Sequence, residues 1–321
     1  MSDSIVKHSH IAAFAKDKVN LLAEDVEDYR NQVNRLRDRL DKHVAEHPDY
    51  ALVKMLHSGS VRKGTALKTI NDMDVAVYVK AAAAPDESVL LSWLADRLRE
   101  AYPNLHPDQF TVQTHCVTVS FRGSGLDVDV VPVLYEGDPN DCGFLITKDS
   151  GDRVLTSIPM HLKFIRKRKN DYPFHFAQFV RLIKWWARLQ KRQSDSFRFK
   201  SFMAELICAH LVGQGLDPAD YPVALENFFS YVVTSGLKER IFFTDYYQNS
   251  ELPGATSASI EIFDPVNPTN NVARQYSASD RDMIVEGAHD ALDALVEAHH
   301  ATTQGRAVAL WRLVLGPSFD I

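Results

Sequence analysis

Ser58-Gly59-Ser60-Val61-Arg62-Lys63-Gly64-Thr65-Ala66-Leu67, followed by Asp72-Met73-Asp74-Val75-Ala76-Val77-Tyr78-Val79, is the stretch whose reading decides the fold. Residues 73–79 read as a buried strand, and the alternate positions Asp72, Asp74, Ala76 and Tyr78 share one of its faces. Two aspartates so spaced leave that face about 7 Å apart at Cα, by strand rise. The Gly59-Ser60 turn lets backbone N–H groups and a hydroxyl approach a phosphate closely, because glycine puts no side chain in the way. A second carboxylate-bearing strand is Leu126-Asp127-Val128-Asp129-Val130-Val131-Pro132, again with its acids on alternate positions. A single D-x-D is ordinarily exposed or salt-bridged, and a single Gly-Ser is ordinarily a turn. Carboxylates that interrupt apolar strands are more informative, since burying charge without a cation is costly. Hard divalent cations prefer such oxygen ligands and bridge them to substrate phosphates. The combination suits two-metal phosphoryl transfer, in which one ion activates an attacking hydroxyl and the other neutralises the triphosphate and leaving pyrophosphate.

Around this centre the chain alternates between strand and helix patterns. Over 18–44 apolar residues recur at Leu22, Val26, Tyr29, Val33, Leu36, Leu40 and Val44, which predicts one long amphipathic helix packed within the chain rather than a coiled-coil dimer. Residues 51–56 read as a short strand, and 87–101 as a helix ending before Pro103. Residues 112–121 and 126–134 read as two strands joined through Gly123-Ser124-Gly125, a hairpin signal. A mixed α/β half thus covers about 45–150. The remainder is mostly helical, with helices over 176–189, 202–211, 222–233 and 280–299 and a loop near 249–259. No internal repeat is present.

Length and composition bound the class. The 321 residues are 45 % hydrophobic, 24 % charged and 10 % aromatic, which are globular values that exclude disorder, collagen-like repeats and a coiled-coil rod. The length allows two packed domains or one large one. No apolar run spans a membrane and the first ten residues are not an export signal, so a cytoplasmic protein with no membrane association is expected. Cys116, Cys142 and Cys208 form no C-x-x-C pair, which speaks against a disulfide framework or a sulfur-rich zinc site. Net charge is −6, yet residues 161–200 carry twelve Lys/Arg against two acids, leaving the rest of the chain at −16. That segment is read either as a solvated helix face or as a polyanion-facing surface.

Taken together these motifs resemble the DNA polymerase β-like nucleotidyltransferases. Phe179-Val180-Arg181-Leu182-Ile183-Lys184-Trp185-Trp186, Lys200-Ser201-Phe202-Met203-Ala204-Glu205-Leu206, Thr244-Asp245-Tyr246-Tyr247 and Asp264-Pro265-Val266-Asn267-Pro268-Thr269-Asn270-Asn271-Val272 resemble the helical-half motifs of 2'-5' oligoadenylate synthetases. They are similar also to those of the bacterial cGAS/DncV-like nucleotidyltransferases (CD-NTases), in particular the CdnC and CdnD branch, over nearly the whole chain. The resemblance implies an α/β (α+β) fold: a nucleotidyltransferase core with a mixed sheet and a long N-terminal helix over residues 1–160, and a helical second lobe over 161–321 that closes a nucleotide cleft. It implies that Asp72, Asp74 and Asp129 are the catalytic, metal-binding triad. Asp129 rather than Asp127 matches because it precedes two apolar residues and Pro132. Gly59 and Ser60 match the triphosphate-contacting turn, and Lys184 and Ser201 the donor-phosphate contacts. Arg181 lies on the face of Lys184, three residues earlier. Phe202 stands where relatives place a base-stacking tyrosine and keeps only the stacking face.

The implied activity is template-independent joining of nucleoside triphosphates into a cyclic oligonucleotide second messenger in CBASS anti-phage defence. Two Mg²⁺ ions are implied, with Mn²⁺ as the substitute; ATP is the favoured substrate with GTP next, and cyclic tri-adenylate the favoured product. A linear oligoadenylate synthase, an RNA- or protein-modifying transferase, and a silent nucleotide-binding module are the rival readings. The intact carboxylates speak against the last. The branch implies a HORMA-domain regulator and, in some members, double-stranded DNA. Arg166, Lys167, Arg168 and Lys169 facing outward together would be the physical handle for backbone phosphates. No cysteine/histidine zinc insertion of the vertebrate cyclic GMP-AMP synthase kind is present.

Overall fold

The computed structural model describes residues 4–44, 49–69, 72–81 and 87–321. Its helices, in chain order, are α1 (His8–Phe14), α2 (Ala23–Val44), α3 (Gly59–Lys63), α4 (Leu90–Ala101), α5 (Ile158–Asp171), α6 (His175–Gln193), α7 (Ser201–Gly213), α8 (Tyr221–Ser235), α9 (Ala278–His299) and α10 (Gln304–Leu315). The strands are β1 (Tyr50–Ser58), β2 (Asp72–Ala81), β3 (Phe110–Val112), β4 (Val117–Phe121), β5 (Leu126–Tyr135), β6 (Gly143–Ile146) and β7 (Arg153–Thr156). Two compact units result: Leu21–Lys163, and the chain up to Asn20 together with Phe164–Ile321. The boundary expected at residue 160 differs chiefly in that the amino-terminal segment groups with the helical unit.

All strands join one sheet of order β1-β2-β5-β4-β3, with β6 pairing β5 and β7. β2 and β5 run parallel at its centre, and the other pairs are antiparallel. The mixed sheet follows from side-chain alternation. Val75, Val77 and Val79 of β2 and Val128 and Val130 of β5 bury one face against Val33, Leu36 and Leu40 of α2 and Leu90, Leu94 and Leu98 of α4. Each such fully buried aliphatic side chain stabilises the unit by about 1.5–3 kcal/mol. Ala76, Tyr78 and Val133 occupy the other face with Leu56, Leu145 and Ile158. The aspartates of β2 and β5 begin that second face.

Two elements depart from the pattern. The helix expected over 18–44 starts at Ala23: Ala15–Val19 form a π-helical turn and Asn20 is extended (φ −80°, ψ 132°). Asn20 donates its side-chain amide to Gln178 Oε1 of α6 at 2.8 Å, so a tertiary contact breaks the helix there. The strand expected over 112–121 is two strands, β3 and β4, paired across a tight turn at residues 113–116, where Gln113 N donates to Cys116 O at 2.8 Å. Lys148 N donates to Thr114 O at 2.8 Å and His115 Nε2 meets Thr147 Oγ1 at 3.1 Å, so the β6–β7 loop holds a turn whose residues carry no turn signature. The Gly123-Ser124-Gly125 hairpin between β4 and β5 forms as expected, with Gly125 at φ +67° donating to Phe121 O.

In the helical unit Trp186 is wholly buried, and Trp185 Nε1 donates to Leu315 O at 2.8 Å, as core residues. The loop over 264–271 satisfies itself: Asp264 accepts from Val266 N, and Asn271 Oδ1 accepts from Ile262 N and Ala273 N. It is a scaffold. No described helix is long and apolar enough to cross a membrane.

Candidate active site

Strand register assembles the carboxylates. Asp72 lies opposite Asp127 and Asp74 opposite Asp129 across the parallel β2–β5 pair, all four on the face away from α2 and α4. The Asp74–Asp129 rung extends outward to Ser58 on β1 and Thr118 on β4, and the Asp72–Asp127 rung to Ser120 on β4. Asp72 is exposed, and Asp74, Asp127 and Asp129 are half-buried. Thr118 Oγ1 donates to Asp129 Oδ1 at 2.5 Å, which orients that carboxylate. Burial, then the nearby Asp129 charge, pushes the Cys116 thiol up to about 12, so beside these acids it stays a neutral thiol.

Gly59 is fixed by Asp74, the other carboxylate of that rung. Its φ is +67°, and a Cβ placed there would stand 1.6 Å from Asp74 Oδ2 and 2.4 Å from its Cγ. Only glycine lets the backbone turn against Asp74 at the start of α3, which Gly64 at φ +74° closes, its N–H donating to Val61 O and that of Thr65 to Ser60 O. Gly59→Ala is therefore expected to displace Asp74, lowering the rate of pyrophosphate release about 100-fold and stability by about 1–3 kcal/mol. Rate and melting temperature measured on the same preparation check it, and parental values for both would show that the turn tolerates a side chain.

The residues expected from the helical half take different stations. Lys184 is buried in α6 with its Nζ 2.6 Å from Glu205 Oε1 of α7, the side chains being 5 % and 2 % exposed. Arg181 is half-buried and donates Nη2 to Gln178 Oε1 at 2.9 Å; burial lowers its pKa. Ser201 is exposed at the first position of α7, and Phe202 beside it is half-buried. Glu205, one turn on from Ser201, thus brings Lys184 to the start of α7. Lys200 stands there too, its pKa lowered by burial and by the charges of Arg198 and Arg274. Sequence reasoning did not single out Glu205, Gln178 or Thr118. Glu205 lay within the quoted 200–206 block, whereas Gln178 and Thr118 carry no signal apart from their partners.

The basic run of α5 does not face outward as a quartet. Arg168 lies over the Phe164 ring at 3.6 Å and forks onto Asp245 at 2.8 and 3.0 Å, and Lys167 joins the same carboxylate at 3.1 Å. These pairs lower the Asp245 pKa although its burial opposes the shift. Asp245 competes for two of the charges that a polyanion would need.

Asp72, Asp74 and Asp129 offer carboxylate oxygens only, on one sheet face, with a neutral thiol as their sulfur neighbour; this donor set fits a hard divalent ion. Among the described residues no three His, Cys, Asp or Glu side chains are grouped closely enough to hold an ion as they stand; Asp74 lies against Gly59, and Asp129 accepts from Thr118.

Residues 6–161 match the Second Messenger Oligonucleotide or Dinucleotide Synthetase domain. The chain is 52 % identical to the cyclic AMP-AMP-AMP synthase of Escherichia coli (strain MS 115-1), with all of both chains covered. Solved structures of E. coli MS115-1 CdnC, one with ATP and one in complex with HORMA-deltaN, match at TM-scores of 0.88 and 0.87, 52 % identity, and 98 % of this chain against 99 % of theirs. Vibrio cholerae DncV cyclic AMP-GMP synthase, in complex with the linear intermediate 5' pppA(3',5')pG, shares the fold at TM-score 0.73 and 11 % identity, over 99 % and 98 % of the two chains. Identity of this extent from end to end, on a sheet that sets its aspartates side by side, places the chain in a family: it belongs to the CD-NTases, the bacterial cGAS/DncV-like nucleotidyltransferases, with the CdnC enzymes.

Proposed function

We propose that this protein joins ATP into cyclic tri-adenylate, releasing pyrophosphate at each bond, as the cytoplasmic signal-making enzyme of a CBASS system governed by a HORMA-domain regulator. The observation that carries the reading is the Asp74–Asp129 rung against Gly59, in a chain 52 % identical throughout to a cyclic AMP-AMP-AMP synthase. Asp72, Asp74 and Asp129 would hold the divalent cations, Mg²⁺ in this reading with Mn²⁺ as the substitute. Bound there, the ions supply charge neutralisation and activation of the attacking hydroxyl.

The remaining roles belong to the chain itself. Thr118 holds Asp129 in a fixed rotamer, and the Gly59 turn offers backbone N–H groups and the Ser60 hydroxyl to the triphosphate. Ser201, Arg181 and Lys184 bind or support the donor phosphates, Lys184 through its pairing with Glu205, and Phe202 offers its ring to a base. In this reading residues 1–160 carry the metal-binding half, and 161–321 the further nucleotide contacts. The test is incubation with mixed radiolabelled triphosphates and Mg²⁺, then phosphatase. The expected result is a phosphatase-resistant species with the mass of a cyclic adenylate trimer. Only phosphatase-sensitive chains would make the enzyme a linear synthase, and a uridine-only product would overturn the base assignment.

A further inference from the structure

Two polar side chains are buried in α6, Lys184 and Gln178. Lys184 meets Glu205. Gln178 is 5 % exposed, and its side-chain oxygen accepts twice: from Asn20 Nδ2 at 2.8 Å and from Arg181 Nη2 at 2.9 Å. Burying an amide is costly unless its hydrogen bonds are made, and here they are made on one side only. Gln178 Nε2 and Asn20 Oδ1 are buried with no hydrogen-bond partner among the described residues. A helix face built for stability alone would carry an apolar residue at 178, as it does at Phe179, Val180, Leu182 and Ile183. The half-satisfied amide is a local conflict, and such conflicts gather at functional positions.

The arginine explains the arrangement. A guanidinium has donors and no acceptor, so the group that faces it must present an oxygen; turning the Gln178 amide over would set Nε2 against Nη2. The acceptor is also neutral. A carboxylate in its place would hold the guanidinium as firmly but offset its charge, as Asp245 does for Arg168. Gln178 lies three residues before Arg181 on one face of α6, and its oxygen confines a long, flexible side chain to one direction. Asn20 fixes that oxygen in turn. It is the last residue of the amino-terminal segment that groups with the helical unit, and it reaches α6 across 158 positions of sequence. That segment thereby takes part in aiming Arg181.

We propose that Gln178 is a positioning residue for Arg181: it aims the guanidinium at the donor triphosphate through a neutral acceptor that leaves the charge of Arg181 whole. The inference rests on the reading above in which Arg181 serves the donor phosphates. Initial rates of pyrophosphate release against ATP test it in Gln178→Met, Gln178→Glu, Arg181→Ala and the double variant Gln178→Met with Arg181→Ala. Methionine fills a similar volume and offers only a weak acceptor. It is expected to raise KM for ATP about fivefold or more, with kcat changed by less than about twofold. Glutamate keeps an oxygen within reach and is expected to fold as the parent does, yet to raise KM by a similar factor because its charge offsets that of Arg181. Arg181→Ala is expected to raise KM about tenfold or more, and the double variant no further, because the two residues act as one unit. An amide that only braced the helix would lower the melting temperature and leave KM alone, or would add its effect to that of Arg181→Ala. Parental KM in either folded Gln178 variant, or additive effects in the double one, overturns the positioning role while Arg181 keeps its phosphates. Parental KM in Arg181→Ala removes Arg181 from the donor site, and the inference falls with that contact while cyclic product from the parent still upholds the synthase reading.

Discussion

Asparagine at both Asp74 and Asp129 is expected to lower the rate of pyrophosphate release by at least about 10³-fold without loss of melting temperature. The two carboxylates share one rung of the parallel pair, so the double substitution strips both charges from the centre of the site. Metal-assisted charge stabilisation contributes several kcal/mol to a phosphoryl transfer, and each 1.36 kcal/mol is about a factor of ten in rate. The fold should not suffer. An asparagine carbonyl still accepts from Thr118 Oγ1, and two like charges at neighbouring positions no longer repel. The comparison is Asp127→Asn, which changes a carboxylate of the other rung and is expected to keep the rate within about tenfold. Both rates come from a coupled pyrophosphate assay and both stabilities from thermal melts. Near-parental turnover in the folded double variant would remove the carboxylates from the chemistry. A dead Asp127→Asn variant beside an active Asp129→Asn single variant, made for this comparison, would shift the third ligand by two residues.

The rungs also show what was legible in the residues. Alternation along 73–79 and 126–134 identified both central strands, and the interrupting aspartates marked the candidate site, because period-two burial and the cost of unpaired charge are local properties. Parallel pairing of β2 with β5 was not local, and it alone decides that Asp74 faces Asp129 rather than Asp127. The same limit explains the rest. α2 begins at Ala23 because Asn20 is held by a residue 158 positions away, and the turn at 113–116 is held from Thr147 and Lys148 rather than by its own residues. Gly59 was visible as a turn, whereas the contact that forbids any other residue there comes from Asp74, fifteen residues on. Periodicity gave the helices of the second half, but motif resemblance supplied its candidate nucleotide contacts, since helical periodicity carries no chemistry. It marked Lys184 without showing the charge that Lys184 meets.

That meeting decides the second large effect. Lys184→Ala is expected to destabilise the protein by about 3–5 kcal/mol, because it leaves the Glu205 carboxylate, 2 % exposed, without its cation. At the scale of a domain of this size the loss corresponds to a fall in melting temperature on the order of 10 °C. A lysine that only touched phosphate would cost almost nothing in the absence of nucleotide and would raise KM alone. The paired substitution Lys184→Met with Glu205→Leu separates the roles, since replacing both partners of a buried pair by apolar groups of similar volume is near neutral. Its melting temperature should return to within a few degrees of the parent. If KM for ATP stays raised about tenfold or more in that restored protein, the ammonium serves the donor phosphates as well as the fold. If KM recovers together with stability, the pair is a brace between α6 and α7, and the phosphate contacts of this lobe rest with Ser201 and the neighbouring cations. A single alanine variant that melts as the parent does would contradict the buried pair itself.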